Sequence, residues 1–144
     1  MDLPFKRLRT EGSLPSTQHA GDAGLDLRAA IDVTVKPGER VMVPTGVAVA
    51  IPDGHAGLVL PRSGLASKKG LTLANAPGLI DSGYRGEVIC SVVNLDLHES
   101  VKIARGDRIA QLVVVEVPEL RPGWVDELPP SSRGEGGFGS TGTR

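Results

Sequence analysis

The apolar residues of the chain lie in short runs separated by glycine, proline and aspartate. Most runs are rich in β-branched residues and alternate apolar with small or polar positions, a pattern that is typical of β-strands. Strands are therefore predicted over residues 33–35, 40–43, 47–51, 57–60, 71–73, 87–95, 101–104 and 109–117. Only residues 64–69 are compatible with a short helix. Many short strands at close spacing predict an all-β fold, an antiparallel sandwich or barrel.

Nineteen glycines and eleven prolines leave little room for helices. The stretch after residue 117 has no strand pattern. Four prolines lie in it, at Pro118, Pro122, Pro129 and Pro130. It ends in the glycine-rich run RGEGGFGSTG over residues 133–142. We therefore predict a single domain, in which residues 1–117 form the β-barrel and residues 118–144 form an extended C-terminal arm with a glycine-rich end.

Length, charge and cysteine content restrict the class of protein. The 144 residues suit one domain, and the net charge of -1 argues against general nucleic-acid binding. The single cysteine, Cys90, excludes an intrachain disulfide and a CxxC metal site, and its apolar neighbours predict a buried, inert thiol. No segment has the apolar length of a membrane span or a signal peptide, so a soluble, cytoplasmic protein without membrane partners is expected.

The chain has only four aromatic residues, Phe5, Tyr84, Trp124 and Phe138. Large aromatic side chains normally dominate protein cores. Tyr84 and Phe138 instead lie in glycine-rich loops, where they are available to stack on a flat ligand. Trp124, next to Pro122, is interpreted as an anchor of the arm on a neighbouring surface.

Charged residues cluster among glycines in five segments: AGDAGLDL, PRSGLASKKG, GLIDSGYRG, RGDRIAQL and RGEGGFGSTG. Each segment alone is compatible with an ordinary turn. Together they offer arginines for bidentate contacts to phosphate, glycines that let backbone N–H groups approach, and carboxylates that hold Mg²⁺ or activate water.

The last segment has the glycine spacing of a P-loop between Gly134 and Thr141. Ser140 stands where a P-loop has its lysine, and no helix can follow in the two remaining residues. A P-loop NTPase is therefore excluded, and an unordered tail is the simplest alternative for the segment taken alone.

In this order and at these intervals, the five segments resemble the five motifs of the trimeric dUTPase family, and the third extends to GLIDSGYRGEV. The resemblance covers residues 20–142. It implies a jelly-roll-like β-barrel and the Mg²⁺-dependent hydrolysis of dUTP to dUMP and diphosphate, which lowers dUTP and supplies dUMP for thymidylate synthesis. It also implies a homotrimer whose active sites are each assembled from all three subunits.

The resemblance assigns roles to the polar residues of the first four motifs. Asp81 corresponds to the catalytic aspartate, which orients and deprotonates the water that attacks the α-phosphorus; a carboxylate is ionised at neutral pH and ready to accept a proton. Tyr84 corresponds to the tyrosine that packs on the deoxyribose and excludes a 2′-hydroxyl. Asp26 corresponds to the aspartate that supports Mg²⁺ through a metal-bound water. The phosphates are held by Arg62, Ser63, Gly64 and Gln111.

The fifth motif is implied to be a lid that covers the γ-phosphate and stacks on uracil, with Arg133, Phe138, Gly139 and Ser140. Uracil itself presents a carbonyl and an N–H that backbone groups can match, whereas cytosine would meet the wrong donor and acceptor. The residues expected to form this uracil slot are Asn75, Gly78, Leu79, Ile80 and Ile89.

Two other functions remain as alternatives. The related dCTP deaminases share the fold and several motifs, but they carry a catalytic glutamate where this chain has Ser91. A non-catalytic nucleotide-binding relative would not need Asp81, Arg62 and Arg133 together. The three histidines, His19, His55 and His98, are too scattered to indicate a metal site.

Overall fold

The computed structural model describes residues 1–143; Arg144 lies outside the described part. The elements, in chain order, are β1 Phe5–Arg7, β2 Leu25–Arg28, β3 Val33–Val35, β4 Arg40–Val49, β5 His55–Pro61, α1 Ser63–Lys69, β6 Leu71–Leu73, β7 Gly78–Ile80, β8 Glu87–Asn94, β9 Val101–Ile103 and β10 Arg108–Glu116.

The strands form three antiparallel sheets with the orders β1-β4-β8-β6, β2-β10-β5-β7 and β3-β9. One cluster of buried apolar residues joins all three sheets, with Val43 and Val92 from the first, Leu112 from the second and Val35 from the third. Burial of this shared apolar surface is the main force that holds the sheets together. The prediction of an antiparallel, jelly-roll-like all-β fold is therefore confirmed.

The helix prediction is also confirmed, because α1 covers residues 63–69 and ends at Gly70, whose φ of 68° is left-handed. This helix directly follows β5, so Arg62 and Ser63 lie at the end of a central strand. Within residues 1–143, no helix has the length and hydropathy needed to cross a membrane.

Two predicted strands, residues 40–43 and 47–51, prove to be the single strand β4. The pairing between β4 and β8 is irregular at this point, since Pro44 lies opposite Ile89 but Ala48 lies opposite Glu87. Three residues of β4 therefore face one residue of β8, which is more than the two-to-one count of an ordinary bulge and makes this a special bulge. The bulge interrupts the apolar alternation, and this explains why the sequence pattern breaks where the strand does not.

Three strands were missed: β1, β2 and β7. β1 and β2 contain no β-branched residue and β7 begins with glycine, so they lack the pattern by which the equally short β3, β6 and β9 were predicted. They are held by long neighbours, since β1 pairs with β4, β2 with β10 and β7 with β5.

The C-terminal arm leaves the barrel after β10, where the N–H of Val117 donates to the carbonyl of Gly54 at 2.8 Å. Residues 118–135 are exposed throughout, and Trp124 is fully exposed. Apolar side chains on the arm, Leu120, Val125 and Leu128, are exposed as well. The arm therefore packs little on its own barrel, and the division into a 1–117 barrel and a 118–144 arm within one domain stays a prediction.

Candidate active site

A first cavity of about 290 Å³ lies between β7 and β8. Its lining includes every residue predicted for the uracil slot together with the predicted base and sugar-packing residues: Asn75, Gly78, Leu79, Ile80, Asp81, Tyr84 and Ile89. The remaining wall is largely apolar and includes Val88 and Cys90. Asn75 and Ile89, which are 14 positions apart in the sequence, are thus brought to one cavity by a single strand-turn-strand unit.

Gly78 leaves room at the mouth of this cavity. A Cβ at residue 78 would lie 3.3 Å from Asn75 Nδ2 and 3.3 Å from the Cβ of Val59, which is tighter than ordinary van der Waals contact. A larger side chain would therefore crowd the groups that face the cavity.

Cys90 also lines this cavity. Burial raises the pKa of the Cys90 thiol to about 12, so this thiol stays protonated and unreactive at neutral pH, as predicted.

The turn between β7 and β8 carries Asp81 and Tyr84. The N–H of Tyr84 donates to the carbonyl of Asp81 at 3.1 Å, and Tyr84 Oη donates to the carbonyl of Glu87 at 3.0 Å. The ring lies against Gly86, where a Cβ would be 2.6 Å from Tyr84 Cζ. Arg85 closes the turn by donating to the carbonyls of Ser82 and Tyr84 at 2.6 and 2.9 Å. Both ends of Tyr84 are thereby fixed to backbone groups.

A second cavity, of about 540 Å³, contains the residues predicted to hold phosphates and Mg²⁺: Asp26, Arg62, Ser63, Gly64 and Gln111. Asp26 is buried and lies 3.6 Å from Arg62 Nε and 3.3 Å from Arg108 Nη1. Gln111 is oriented by a hydrogen bond from its Nε2 to the carbonyl of Pro61 at 3.1 Å. The cavity therefore presents two guanidinium groups beside a single buried carboxylate.

The two cavities lie on opposite faces of the sheet β2-β10-β5-β7. Gln111 is in register with Asp26 on one side and Leu60 on the other, and all three line the second cavity. The next residues along the strands, Leu112 and Val59, are buried in the core, and Val59 lines the first cavity. Successive side chains of a strand point to opposite faces. The first cavity thus opens from the inner face and the second cavity from the outer one.

The predicted lid residues lie in neither cavity. Arg133 Nε donates to the carbonyl of Gly136 at 2.6 Å, and Phe138 is fully exposed. Phe138 also has a φ of 35°, a backbone conformation that is uncommon for an aromatic residue. Closure of this segment over a nucleotide stays a prediction.

Asp22 lines the second cavity although it was not among the predicted site residues. Three further charged residues outside the predicted set form ion pairs in or beside the cavities. Arg108 stands in the fourth motif, but the sequence alone does not show that its side chain turns toward Asp26. Glu87 lines the first cavity, and Arg9, which is 78 residues away in the sequence, binds the Glu87 carboxylate. Glu87 and Arg108 stand inside the third and fourth motifs, and this was a usable signal. Arg9 had none, since the partner of a distant ion pair leaves no local pattern.

Arg9 and Glu87 form a bidentate ion pair, with 2.7 Å from Nε to Oε1 and 3.0 Å from Nη2 to Oε2. The Arg9 guanidinium, with further help from the Gly46 N–H at 2.9 Å, lowers the pKa of the Glu87 carboxyl below its ordinary value. The same pair raises the pKa of Arg9. Within residues 1–143, no group of three or more His, Cys, Asp or Glu side chains is arranged to hold a metal ion.

Comparison with known proteins gives matches along nearly the whole chain. The family model described as dUTPase matches residues 10–142. The deoxyuridine 5'-triphosphate nucleotidohydrolase of Streptomyces avermitilis is 54% identical over 142 residues, which cover 99% of this chain and 81% of the relative. The protein of the same name from Leifsonia xyli subsp. xyli is 57% identical over 142 residues, covering 99% and 91% of the two chains.

Solved structures give the same result. The dUTPase of Staphylococcus bacteriophage 80alpha with dUpNHpp has a TM-score of 0.92 and 34% sequence identity, and the match covers 99% of each chain. A mutant dUTPase from phage phi11 of S. aureus, solved to describe the coordination of a structural Mg(II) ion, has a TM-score of 0.84 and 28% identity over 90% of this chain and 100% of its own.

The lowered pKa of Glu87 predicts a specific response to acid. A carboxyl group with a lowered pKa stabilises the fold fully above its ordinary pKa of about 4.5, and this contribution is lost as the pH falls through the lower folded-state value. We expect the free energy of unfolding to fall below about pH 4.5, and to fall less steeply in Glu87→Gln. Denaturant unfolding from pH 7 to pH 3, at one protein concentration, measures this. Glu119→Gln removes an exposed ion pair with Arg121 and should keep the wild-type slope; identical slopes for all three proteins would contradict the assignment.

Proposed function

The chain belongs to the dUTPase family, and we propose that it hydrolyses dUTP to dUMP and diphosphate in a site built from both cavities. This activity is the one in the names of two relatives that match 99% of this chain over 81% and 91% of their own lengths. The free edge of β7, which lines the first cavity beside Asp81, is the observation from which we assign the parts of the nucleotide to the two cavities. The reaction and its substrate follow from the family, and the roles below are proposals for individual residues.

We assign uracil to the first cavity. Strand β7 is the last strand of its sheet, so it pairs with β5 on one edge only and leaves backbone N–H and C=O groups on the other. Such groups can match the carbonyl and N–H of uracil and would be mismatched by cytosine. Asn75 and Gly78 border the same space, and a methyl group of thymine would be disfavoured if it met walls as close as those at Gly78, where an added Cβ would lie 3.3 Å from Asn75 Nδ2.

Asp81 is proposed as the general base. It directly follows β7, it is exposed, and it lines the cavity that would hold the nucleoside. A carboxylate at this place accepts a proton from the water that attacks the α-phosphorus, and diphosphate leaves on the opposite side. The Tyr84 ring, fixed over Gly86, is proposed to pack on the deoxyribose and to occupy the space that a 2′-hydroxyl would need.

The second cavity is proposed to bind the triphosphate. Arg62 is oriented by donation from its Nη1 to the carbonyl of Arg108 at 3.2 Å, and Ser63, Gly64 and Gln111 border the same space. Two guanidinium groups near a developing negative charge stabilise the transition state of phosphoryl transfer. Arg133 and Phe138 would add charge and a stacking surface if the lid covers the bound nucleotide.

A complete site needs a second copy of the chain. The uracil cavity and the phosphate cavity lie on opposite faces of one sheet, so we propose that one subunit supplies the nucleoside half and another supplies the phosphate half. The exposed arm, with Trp124 and Leu128 free of its own barrel, is suited to reach a third subunit. These features support a homotrimer with shared active sites.

Mg²⁺ fits the second cavity only as an ion that arrives with the substrate. Asp26 is the one carboxylate within reach of both arginines, and residues 1–143 hold no cage of three or more ligands. Mg²⁺ commonly keeps several waters and binds through one or two carboxylates plus substrate phosphates. Asp26 would therefore hold a metal-bound water, while the bound ion would neutralise charge on the triphosphate. A cytoplasmic location is proposed as well, since the only cysteine is a buried free thiol.

Substrate choice tests the function directly. The purified protein is incubated with Mg²⁺ and each of dUTP, UTP, dTTP and dCTP, and diphosphate and ammonia are followed. We expect diphosphate from dUTP and little product from the other three, because the proposed slot matches uracil and the tyrosine excludes the ribose. Ammonia from dCTP would indicate a deaminase, and absence of diphosphate from dUTP would contradict the proposal.

The role of Asp81 is tested by Asp81→Asn. This change keeps the shape of the side chain but removes the proton acceptor, so binding of a non-hydrolysable dUTP analogue should persist while turnover falls by about 10²-fold or more. Calorimetric binding and steady-state kinetics measure the two effects. Asp53→Asn alters an exposed aspartate outside both cavities and should leave both values unchanged. Wild-type turnover in Asp81→Asn would show that another group is the base.

A further inference from the structure

We propose that Arg9 is a positioning residue for sugar selection, because its ion pair with Glu87 holds the turn that carries Tyr84. This inference rests on the proposed function, in which Tyr84 packs on the deoxyribose. Arg9 lies outside the five motifs and in neither cavity, so its effect on the reaction would be exerted through other residues.

The contact between Arg9 and Glu87 is stronger than an ordinary surface ion pair. Two parallel N–H···O bonds of 2.7 and 3.0 Å join the guanidinium to the carboxylate. The Glu87 side chain is only 15% exposed, so water screens the pair poorly on that side. Loss of Arg9 would leave this carboxylate with one remaining partner, the N–H of Gly46.

That remaining partner lies in the bulge of β4. Residues 45–47 face the single residue Val88, and side chains replace the missing ladder bonds: Thr45 Oγ1 donates to the carbonyl of Val88 at 2.6 Å and Glu87 accepts from Gly46. The carbonyl of Gly46 turns the other way and accepts from the N–H groups of Leu8 and Arg9 at 2.8 and 3.3 Å.

The bulge and the N-terminal segment are also packed too closely for side chains. Gly46 has a φ of 74°, and a Cβ on it would lie 2.7 Å from the Cα of Gly12. Each of the three residues Arg9, Gly46 and Glu87 thus bonds to the other two. These bonds fix Glu87, the first residue of β8. The position of Glu87 is set by a segment far from the cavity in the sequence.

Because Glu87 is held in place, it also restricts the position of the Tyr84 side chain. The carbonyl of Glu87 accepts the hydrogen bond of Tyr84 Oη, and Gly86 lies so close to the hydroxyl end of the ring that a Cβ on it would be 2.6 Å from Tyr84 Cζ. A ring that excludes a 2′-hydroxyl must keep its place to within a fraction of an ångström. If the first residue of β8 is released, the ring gains freedom and a ribonucleotide can be accommodated.

The test compares kcat/KM for dUTP and for UTP in Arg9→Ala and in the wild type, below the unfolding temperature of both. We expect the ratio of the two values to fall by about tenfold, mainly because turnover of UTP rises relative to that of dUTP. Arg7→Ala is the matched control. Arg7 is an exposed arginine on β1 without an ion pair among the described residues, and its removal should leave the ratio unchanged.

Two further variants separate positioning from general stability. Arg9→Lys keeps the charge but not the two-pronged contact, so it should restore the ratio in part. In a double-mutant cycle with Tyr84→Phe, which removes the bond to the Glu87 carbonyl, the effects of Arg9→Ala and Tyr84→Phe on the ratio should not add, since both act through one ring.

The outcomes distinguish the inference from the proposed function. An unchanged ratio in Arg9→Ala, or effects that simply add in the cycle, would overturn the inference while dUTP hydrolysis by the wild type stands. If Arg9→Ala does not fold, Glu87→Gln replaces it, because its amide oxygen can still accept from Gly46; an unchanged ratio there would also overturn the inference. A wild type that hydrolyses UTP as well as dUTP would instead overturn the role proposed for Tyr84.

Discussion

The alternation of side chains across one antiparallel sheet determines how this chain can form an active site. In the sheet β2-β10-β5-β7, Gln111 and Leu60 face one side, while their neighbours Leu112 and Val59 face the core. The core is made of Leu112, Val59 and their partners, so a slip of one residue would turn them toward solvent and is strongly disfavoured. The same register places Asp26 and Gln111 on the outer face and opens the first cavity on the inner one.

Under the proposed function, the two cavities of the barrel are two half-sites rather than one complete site. The seven-residue strand β5 runs directly into Arg62 and α1. The short strand β7, which pairs with β5, runs directly into Asp81. The arm lies outside this packing, and its exposed Trp124 and Phe138 find no partner on their own barrel within the described residues. Such an arm loses little by reaching across to another copy, where burial of its apolar side chains is favourable.

The sequence predicted the class of fold and most long strands because their β-branched residues alternate over enough positions to establish a period. It predicted a helix at residues 64–69 because no proline or β-branched residue interrupts that stretch. The bulge in β4 could not be predicted, because it depends on Glu87 and Thr45 replacing ladder bonds from elsewhere in the sequence. The five motifs indicated which residues belong to the site, but the face on which each lies depends on pairing that no local pattern records.

If the nucleoside and phosphate halves of one site come from two chains, variants that are defective in different halves should complement each other when their subunits are mixed. Asp81→Asn and Arg62→Ala are each expected to be inactive, because one removes the proposed base and the other a phosphate contact. The two variants are unfolded, refolded together in equal amounts and assayed with dUTP. We expect recovery of about a quarter of wild-type activity. Each site combines its two halves from different subunits at random, and each half is intact in about one of two cases. Activity no greater than the sum of the separate variants would contradict it.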